Sequence, residues 1–290
     1  MNNLFEQIDL NPFNWVYRRV SEKDFQGYYH WHQGCELLFV YRGKGRVIVN
    51  QQTYEMKRGM LFFFQPFQLH KIYVDVSPET PYERSILHFD TLMLGESNLN
   101  HVPGLNSLLK QLQYGVNELQ AFDLEDVYSY LYEVYEIFNK SLQTKNWEED
   151  AQLFLMQLLS CIRLKDYSTY TNATSNLPLR PLLYSERMMN WIEAHYMEPF
   201  NLEQLADELY LSKSYLSRSF KRETGSSLTE YLTIRRIKEA CQLLEMTHKS
   251  VEFIGESVGI KNTSYFIQLF KKVVGITPHQ YRLTHQKANH

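Results

Sequence analysis

The sequence predicts an α+β chain of two domains: an N-terminal β-barrel or sandwich with appended helices, and a C-terminal all-α double helix-turn-helix. Three observations predict this. Residues 14–90 hold short β-branched and aromatic runs punctuated by glycine and proline. After Asp90 the apolar spacing becomes helical. Between Asn201 and Arg282 the chain repeats itself: Ser214-Tyr215, Phe220-Lys221, Gly225 and Tyr231 recur as Ser264-Tyr265, Phe270-Lys271, Gly275 and Tyr281. Duplication of one structural unit is the simplest cause of a fixed internal period.

The strands are read in Trp15–Val20, Glu36–Tyr41, Arg46–Val49 and Met60–Phe64. Gly43-Lys44-Gly45 and Asn50-Gln51-Gln52 read as hairpin turns. The run Phe62-Phe63-Phe64 reads as core. Three amphipathic helices follow. The first carries Leu105, Leu108, Leu109 and Leu112. The second carries Leu124 to Phe138, and the third follows Trp147 through Ile162. They would complete the barrel's core, or offer one face to a second copy of the chain in a homodimer. Residues 1–165 thus form the first domain. Asp166–Tyr184, polar and aperiodic with Pro178 and Pro181, is a linker.

Residues 185–290 form the second domain. Ser185 is expected to cap a helix through Tyr196. Asn201 caps the next, and its buried face is Leu202, Leu205, Ala206 and Leu209. After a turn at Tyr210-Leu211, Ser212 caps Lys213–Thr224, and Gly225 ends it. Tyr215, Leu216, Ser219 and Phe220 should face inward, leaving Lys213, Ser214, Ser217, Arg218, Lys221 and Arg222 outward. Leu228–Glu245 reads as a long connecting helix with Ile234, Ile237, Ala240, Cys241 and Leu244 inward and Arg235, Arg236 and Lys238 outward. In the second copy Ser250 caps a helix, Gly259 makes the turn, Ile260 plugs it, and Asn262 caps the next helix. There Tyr265, Phe266, Leu269 and Phe270 should face inward, with Thr263, Ser264, Ile267, Gln268, Lys271 and Lys272 outward.

A helix-turn-helix lays its second helix in the DNA major groove. Arg218 can fork to a guanine, Gln268 suits adenine, and Ile267 suits a thymine methyl. The lysines and Arg222 can reach phosphates. The overall charge of −3 hides a division: residues 211–290 hold 13 basic and 6 acidic side chains. Helical hairpins in a plain bundle would need neither the repeat nor that charge.

The stretch Tyr215–Gly225, with Ala206 and Leu211, resembles the first helix-turn-helix of the AraC/XylS family of transcription regulators. Val258-Gly259-Ile260, Ser264-Tyr265-Phe266, Phe270-Lys271-Lys272, Gly275-Ile276-Thr277-Pro278 and Tyr281-Arg282 resemble that family's signature across the second. Two positions depart from it: Gly255 stands where the family usually has Ala, and Ile260 where it usually has Phe. The resemblance implies binding to double-stranded promoter DNA, usually as an activator that contacts RNA polymerase.

In the first domain, His30, His32, Glu36 and Gly43 resemble the first motif of the cupin barrel. Gly59, Pro66 and His70 resemble its second, with Pro66 one residue late. His30, His32, Glu36 and His70 are of ligand types that suit a divalent transition metal. Equally, they can hydrogen-bond a polar small-molecule effector, a sugar among the candidates. Arg18, Tyr41 and His88 are expected as further wall residues. Trp31 should point away from the cavity.

Cys35, Cys161 and Cys241 are widely spaced and fit reduced thiols in a cytoplasmic protein. No secretory signal or membrane span is apparent. The expected protein is a ligand-responsive transcription regulator without catalytic residues. A cupin metalloenzyme tethered to DNA, or an effector-independent repressor or architectural DNA binder, are the alternatives.

Overall fold

The computed structural model describes residues 6, 8, 13–23, 25, 27–32, 34–49, 52–90, 102–114, 120–165 and 184–286. They fall into two compact units. Glu6, Tyr28–His30 and residues 184–286 form one, and the remaining described residues from 8 to 165 form the other.

The β unit is two antiparallel sheets. Strands β1 (Phe13–Ser21), β7 (Tyr82–Phe89), β2 (Cys35–Arg42), β5 (Met60–Phe64) and β8 (Ala121–Asp123) lie side by side in that order. Strands β4 (Gln52–Met56), β3 (Gly45–Val49) and β6 (His70–Val74) form the second sheet. Strands β2, β5 and β7 are buried on both faces, which is why β5 reads as a continuous apolar run rather than an alternation. Leu38, Val40, Phe62 and Phe64 point between the sheets, toward Val47, Val49, Tyr54, Met56, Ile72 and Val74. Leu37, Phe39, Tyr41, Leu61 and Phe63 point the other way. There they meet α1 (Pro103–Tyr114), α2 (Tyr128–Ser141) and α3 (Trp147–Arg163).

All four leucines read as the first helix's apolar face are buried, as are Val134, Phe138, Leu158 and Ile162 on the other two helices. Each such side chain contributes about 1.5–3 kcal/mol on leaving water. Aromatic pairing orients the layer: Phe138 stacks on Phe154 at 4.2 Å, and Trp15 meets Phe138 edge-on at 4.9 Å.

Gly43-Lys44 does not form the expected hairpin. β2 pairs with β5 and β7, whereas β3 pairs with β4 and β6, so this two-residue corner carries the chain from one sheet to the other. Gly43 takes φ +119° there, a value open to glycine. β3 and β4 do form a hairpin, with Val49 opposite Gln52; Asn50 and Gln51 of its expected turn lie outside the described residues. So does the expected linker, save Tyr184.

The helical unit begins with α4 (Tyr184–His195), then α5 (Leu202–Leu209), α6 (Lys213–Thr224), α7 (Leu228–Met246), α8 (Val251–Ser257), α9 (Thr263–Val274) and α10 (Pro278–Gln286). α4 starts one residue earlier than expected. Ser185 is buried inside its first turn, and its amide donates to Glu223 Oε2 at 3.1 Å. The other caps form as read: the side chains of Asn201, Ser212, Ser250 and Asn262 each accept from a backbone N–H of the following turn. Ser227 and Glu230 add a reciprocal capping box at the start of α7. Each cap contributes about 1 kcal/mol.

The two copies share their packing as well as their spacing. Phe220 meets Tyr231 edge-on at 5.8 Å, and Phe270 meets Tyr281 edge-on at 5.6 Å, with the same interplanar angle of 76°. Each tyrosine hydroxyl then donates to a glutamate on an earlier helix, Tyr231 to Glu193 of α4 at 3.0 Å and Tyr281 to Glu245 of α7. The turns differ by one residue. Tyr210 takes the left-handed conformation (φ 56°) two positions before its cap, and Gly259 (φ 84°) three before. A Cβ on Gly259 would lie 2.6 Å from the Met197 carbonyl oxygen, so glycine is required twice over there.

Candidate nucleic-acid interface and effector site

The outward face of α6 is as read. Lys213, Ser214, Ser217, Arg218, Lys221 and Arg222 are all exposed. Lys213 pairs with Glu203 at 2.5 Å, both mostly in solvent, so that pair is weak and exchangeable. Arg218 donates from Nε to the Ser214 carbonyl one turn back, at 3.2 Å. Arg222 reaches Glu223 and the Ser219 hydroxyl only at 3.4 Å. On α9, Ser264, Gln268, Lys271 and Lys272 are exposed, while Thr263 and Ile267 are half-buried.

Four readings of this unit are corrected. Tyr265 is 55% exposed rather than inward, because Phe266 and Phe270 fill the space beneath α9. Arg235 is not outward: it sits between Glu193 (2.5 Å) and Glu239 (2.9 Å), over the Tyr196 ring at 4.0 Å. Burial opposes its charge, but the two carboxylates outweigh that and hold its proton more tightly than usual. Arg236 donates to the carbonyls of Tyr196 and Glu198, at 2.7 and 2.6 Å. Burial, with Arg235 adding to it, pushes Lys238 down to about 8. The basic side of α7 therefore ties α7 to α4 and the loop after it.

The departures at Gly255 and Ile260 share one explanation. A Cβ on Gly255 would stand 3.1 Å from the Phe266 ring, tighter than ordinary contact. The missing methyl makes room for that ring, and Ile260, 5% exposed, fills the turn.

Between the sheets, three imidazoles converge on one carboxylate oxygen. Glu36 Oε2 lies 2.8 Å from His32 Nε2, and 3.3 Å from both His70 Nε2 and His88 Nε2. The β2–β7 ladder brings His88 in by placing it directly opposite Glu36. His32 Nδ1 meets the Gly34 carbonyl and His70 Nδ1 the Gln68 carbonyl, both at 2.9 Å. A carbonyl only accepts, so in each ring the Nδ1 carries a proton. Nε2 is then the ring atom turned toward Glu36, and the 2.8 Å His32–Glu36 contact is a hydrogen bond that a proton between the two atoms must complete. Burial pushes His32 down to about 4, against the pull of Glu36. Burial alone would raise the Glu36 carboxyl, but His88, His32 and His70 around it hold it well below the usual range. The Phe64 ring lies flat on His70 at 4.0 Å.

Arg18 and Tyr41 do not join this cluster. Both belong to the helix-facing side of the larger sheet. Arg18 binds Glu83 (2.6 Å) and the Tyr132 hydroxyl (2.5 Å), and Tyr41 bonds Ser85 at 3.0 Å. A register shift between Val16 and Arg19 sets Arg18, with φ 45°, on that side. Tyr41 also borders a cleft of about 640 Å³ with Arg42, Lys44, Lys57, Arg58 and Glu125. Trp31 is buried. His30 groups with Tyr28 and Tyr29 in the helical unit, where its Nδ1 meets the Tyr28 carbonyl at 3.2 Å.

Two successive helix-turn-helix units with basic outward faces, on a chain that also carries a small β unit enclosing a polar cluster, define a DNA-binding regulator with a sensor domain. A profile described as a helix-turn-helix domain matches residues 205–284, and one described as an AraC-like ligand binding domain matches residues 16–115. The chain belongs to the AraC family of transcription regulators. It is 27% identical over 259 residues to the HTH-type transcriptional activator RhaR of Enterobacter sp. (strain 638), covering 89% of this chain and 88% of that one. It is 26% identical over 253 residues to RhaR of Escherichia coli (strain K12), covering 87% and 86%. Among solved structures, ToxT from Vibrio cholerae aligns over 94% of this chain and 98% of its own at 14% identity, with a TM-score of 0.39.

Proposed function

We propose that this protein activates transcription from promoter DNA in response to a small hydroxyl-bearing effector, a sugar or sugar derivative, held between the two sheets. One observation carries the DNA half of the reading. The repeat duplicates scaffold but not reading face: Ser217-Arg218 on α6 becomes Ile267-Gln268 on α9. One scaffold presenting different side chains reads two different DNA segments, so a single protomer's site is asymmetric. Lys213, Lys221, Arg222, Lys271 and Lys272 position the units on phosphates; Ser214, Ser217, Thr263 and Ser264 let the backbone approach. The relatives named above are activators, which supports that sign and a contact with RNA polymerase.

The effector site is His32, Glu36, His70 and His88. A carboxylate beside imidazoles offers acceptors and, from the ring N–H groups, donors to hydroxyl groups. Effector binding must discriminate between two arrangements of the protein to alter DNA binding. Residues 1–165 serve as sensor, 166–184 as linker and 185–290 as DNA reader. The chain works as a cytoplasmic homodimer. Tyr130, Ile137 and Leu153, exposed on α2 and α3, supply apolar surface for the second copy. No helix among the described residues is long and apolar enough to cross a membrane.

The same cluster fits a divalent metal. Its backbone carbonyls orient Nδ1–H so that Nε2 lone pairs point inward, the arrangement that orients metal-bound histidines. The separations of Glu36 Oε2 from the three Nε2 atoms, 2.8–3.3 Å, are near or somewhat below the ~3.4 Å between ligands of a tetrahedral site with ~2.1 Å bonds. Such an ion would be held by His32, Glu36, His70 and His88 and would polarise an effector hydroxyl.

Selection of bound sequences from random DNA tests the function. An asymmetric bipartite consensus is expected. Salt-sensitive binding with no consensus would overturn the reading in favour of an architectural role.

A further inference from the structure

Strand β7 sends Tyr82, Arg84, Ile86 and His88 to one face and Glu83, Ser85, Leu87 and Phe89 to the other. His88 completes the cluster described above. Four residues back on the same face, Arg84 is 5% exposed. Its Nη1 donates to the Ser21 hydroxyl at 2.7 Å and to the Arg19 carbonyl at 3.4 Å. Its guanidinium lies over the rings of Tyr82 (4.5 Å) and Phe25 (5.1 Å), which pack edge-on against each other. The Nε and Nη2 edge donates to no described group.

No carboxylate pairs with Arg84 among the described residues. Its neighbour Glu83 is turned to the other face, where it binds Arg18. Directly across the β1–β7 ladder from Arg84 stands Arg19, exposed and likewise without a carboxylate partner among the described residues. Ser21, opposite Tyr82, shares their face. The Tyr82 hydroxyl is fully buried with no hydrogen-bond partner among the described residues.

Each of these features is unfavourable alone. Like charges opposite one another in a ladder repel. A buried cation without a counterion, and a buried hydroxyl without a partner, both lose hydration uncompensated. An anion meets all three demands. The free Nε–Nη2 edge is the fork that grips a carboxylate or phosphate with two parallel bonds. Arg19 supplies a second positive charge, and the Tyr82 O–H a further donor.

We infer that Arg84, with Arg19 and the Tyr82 hydroxyl, binds an oxyanion carried by the effector, which is therefore an acidic small molecule such as a sugar acid or sugar phosphate. This rests on the reading of the inter-sheet face as the effector site and specifies its ligand class. The His32–Glu36–His70–His88 cluster takes the hydroxyl-bearing part, and Arg84 the charged part.

Thermal unfolding of the full chain tests it, with inorganic phosphate, glucuronate and glucose compared at matched ionic strength and pH. Phosphate and glucuronate should each raise the unfolding temperature, and glucose alone should not. In Arg84→Gln the apparent affinity for both anions should fall about tenfold or more, as befits a hydrogen-bonded charge. Arg19→Gln, a change at an exposed residue, carries the test should Arg84→Gln fold poorly, and should weaken both anions severalfold. Equal anion stabilisation in wild type and both variants, or none in wild type, overturns the inference. A neutral ligand whose binding survives Arg84→Gln but is lost in Glu36→Gln would remove the anion site and leave the effector site standing. A ligand indifferent to both variants would remove both.

Discussion

Lys238 separates two accounts of the connecting helix. If it faced solvent it would be a phosphate contact, and replacing it would weaken DNA binding. The structure instead packs it on α7 beside Arg235, with burial pushing its pKa down to about 8 from 10.5. The sign follows directly. The folded state disfavours the proton, so between about 8 and 10.5 the unfolded chain binds more protons and stability rises with pH. Below about 8 both states are protonated and the cost is constant. The full difference of about 2.5 pKa units is a ceiling of about 3 kcal/mol. Lys238 is half-buried rather than sealed, so relaxation toward water reduces this to about 1–2 kcal/mol. Lys238→Met should therefore stabilise the helical unit by that amount at pH 7, raising its unfolding temperature by several degrees. The advantage should shrink steadily above pH 8. Thermal unfolding across pH 6–10 reads the effect, and anisotropy with operator DNA checks that affinity is unchanged. A destabilised variant with weakened DNA binding would refute the burial argument and restore Lys238 as a DNA contact.

Gly259→Ala should cost about 2 kcal/mol or more, since it combines a left-handed backbone with a 2.6 Å approach to the Met197 carbonyl; urea unfolding measures it, and wild-type stability would show that the turn yields. Ile137→Glu, at a side chain 64% exposed, should leave the fold intact and weaken self-association seen by sedimentation; an unchanged mass distribution would move the dimer contact elsewhere. For the cluster between the sheets, elemental analysis of the purified chain should find a divalent metal lost in His32→Ala. A metal-free wild type that still binds its effector would leave the four residues as hydrogen-bonding groups.

The repeat was legible because helix packing is local. Tyr231 and Tyr281 reach Phe220 and Phe270 from eleven residues away, and one sequence period fixes both contacts. Caps were legible for the same reason. The faces of the larger sheet were not. Alternation says that Arg18 and Tyr41 lie on some face, but only strand order and the register shift in β1 decide which. His88 was named, yet its place against Glu36 depends on a pairing between strands some fifty residues apart. Arg84 and Tyr82 carry no local signal at all, since a buried arginine without an acid is recognisable only once its surroundings are known. On α7, periodicity gave the buried stripe of Ile234, Ile237 and Leu244 correctly. It could not show that α4 also covers the flank that carries Arg235 and Lys238, because a helix wrapped on two sides leaves no cleanly polar face.

The central claim is that one protomer reads two different DNA segments, one with α6 and one with α9. Footprinting of Arg218→Ala and Gln268→Ala on the selected operator tests it most directly. Among the described residues Arg218 has only the Ser214 carbonyl as hydrogen-bond partner, so its loss should leave the fold intact and weaken binding by about 1–3 kcal/mol at one segment. Gln268→Ala should relax a position in the other segment, about one helical turn away. Both variants relaxing the same base pairs, or neither altering the footprint, would contradict the account.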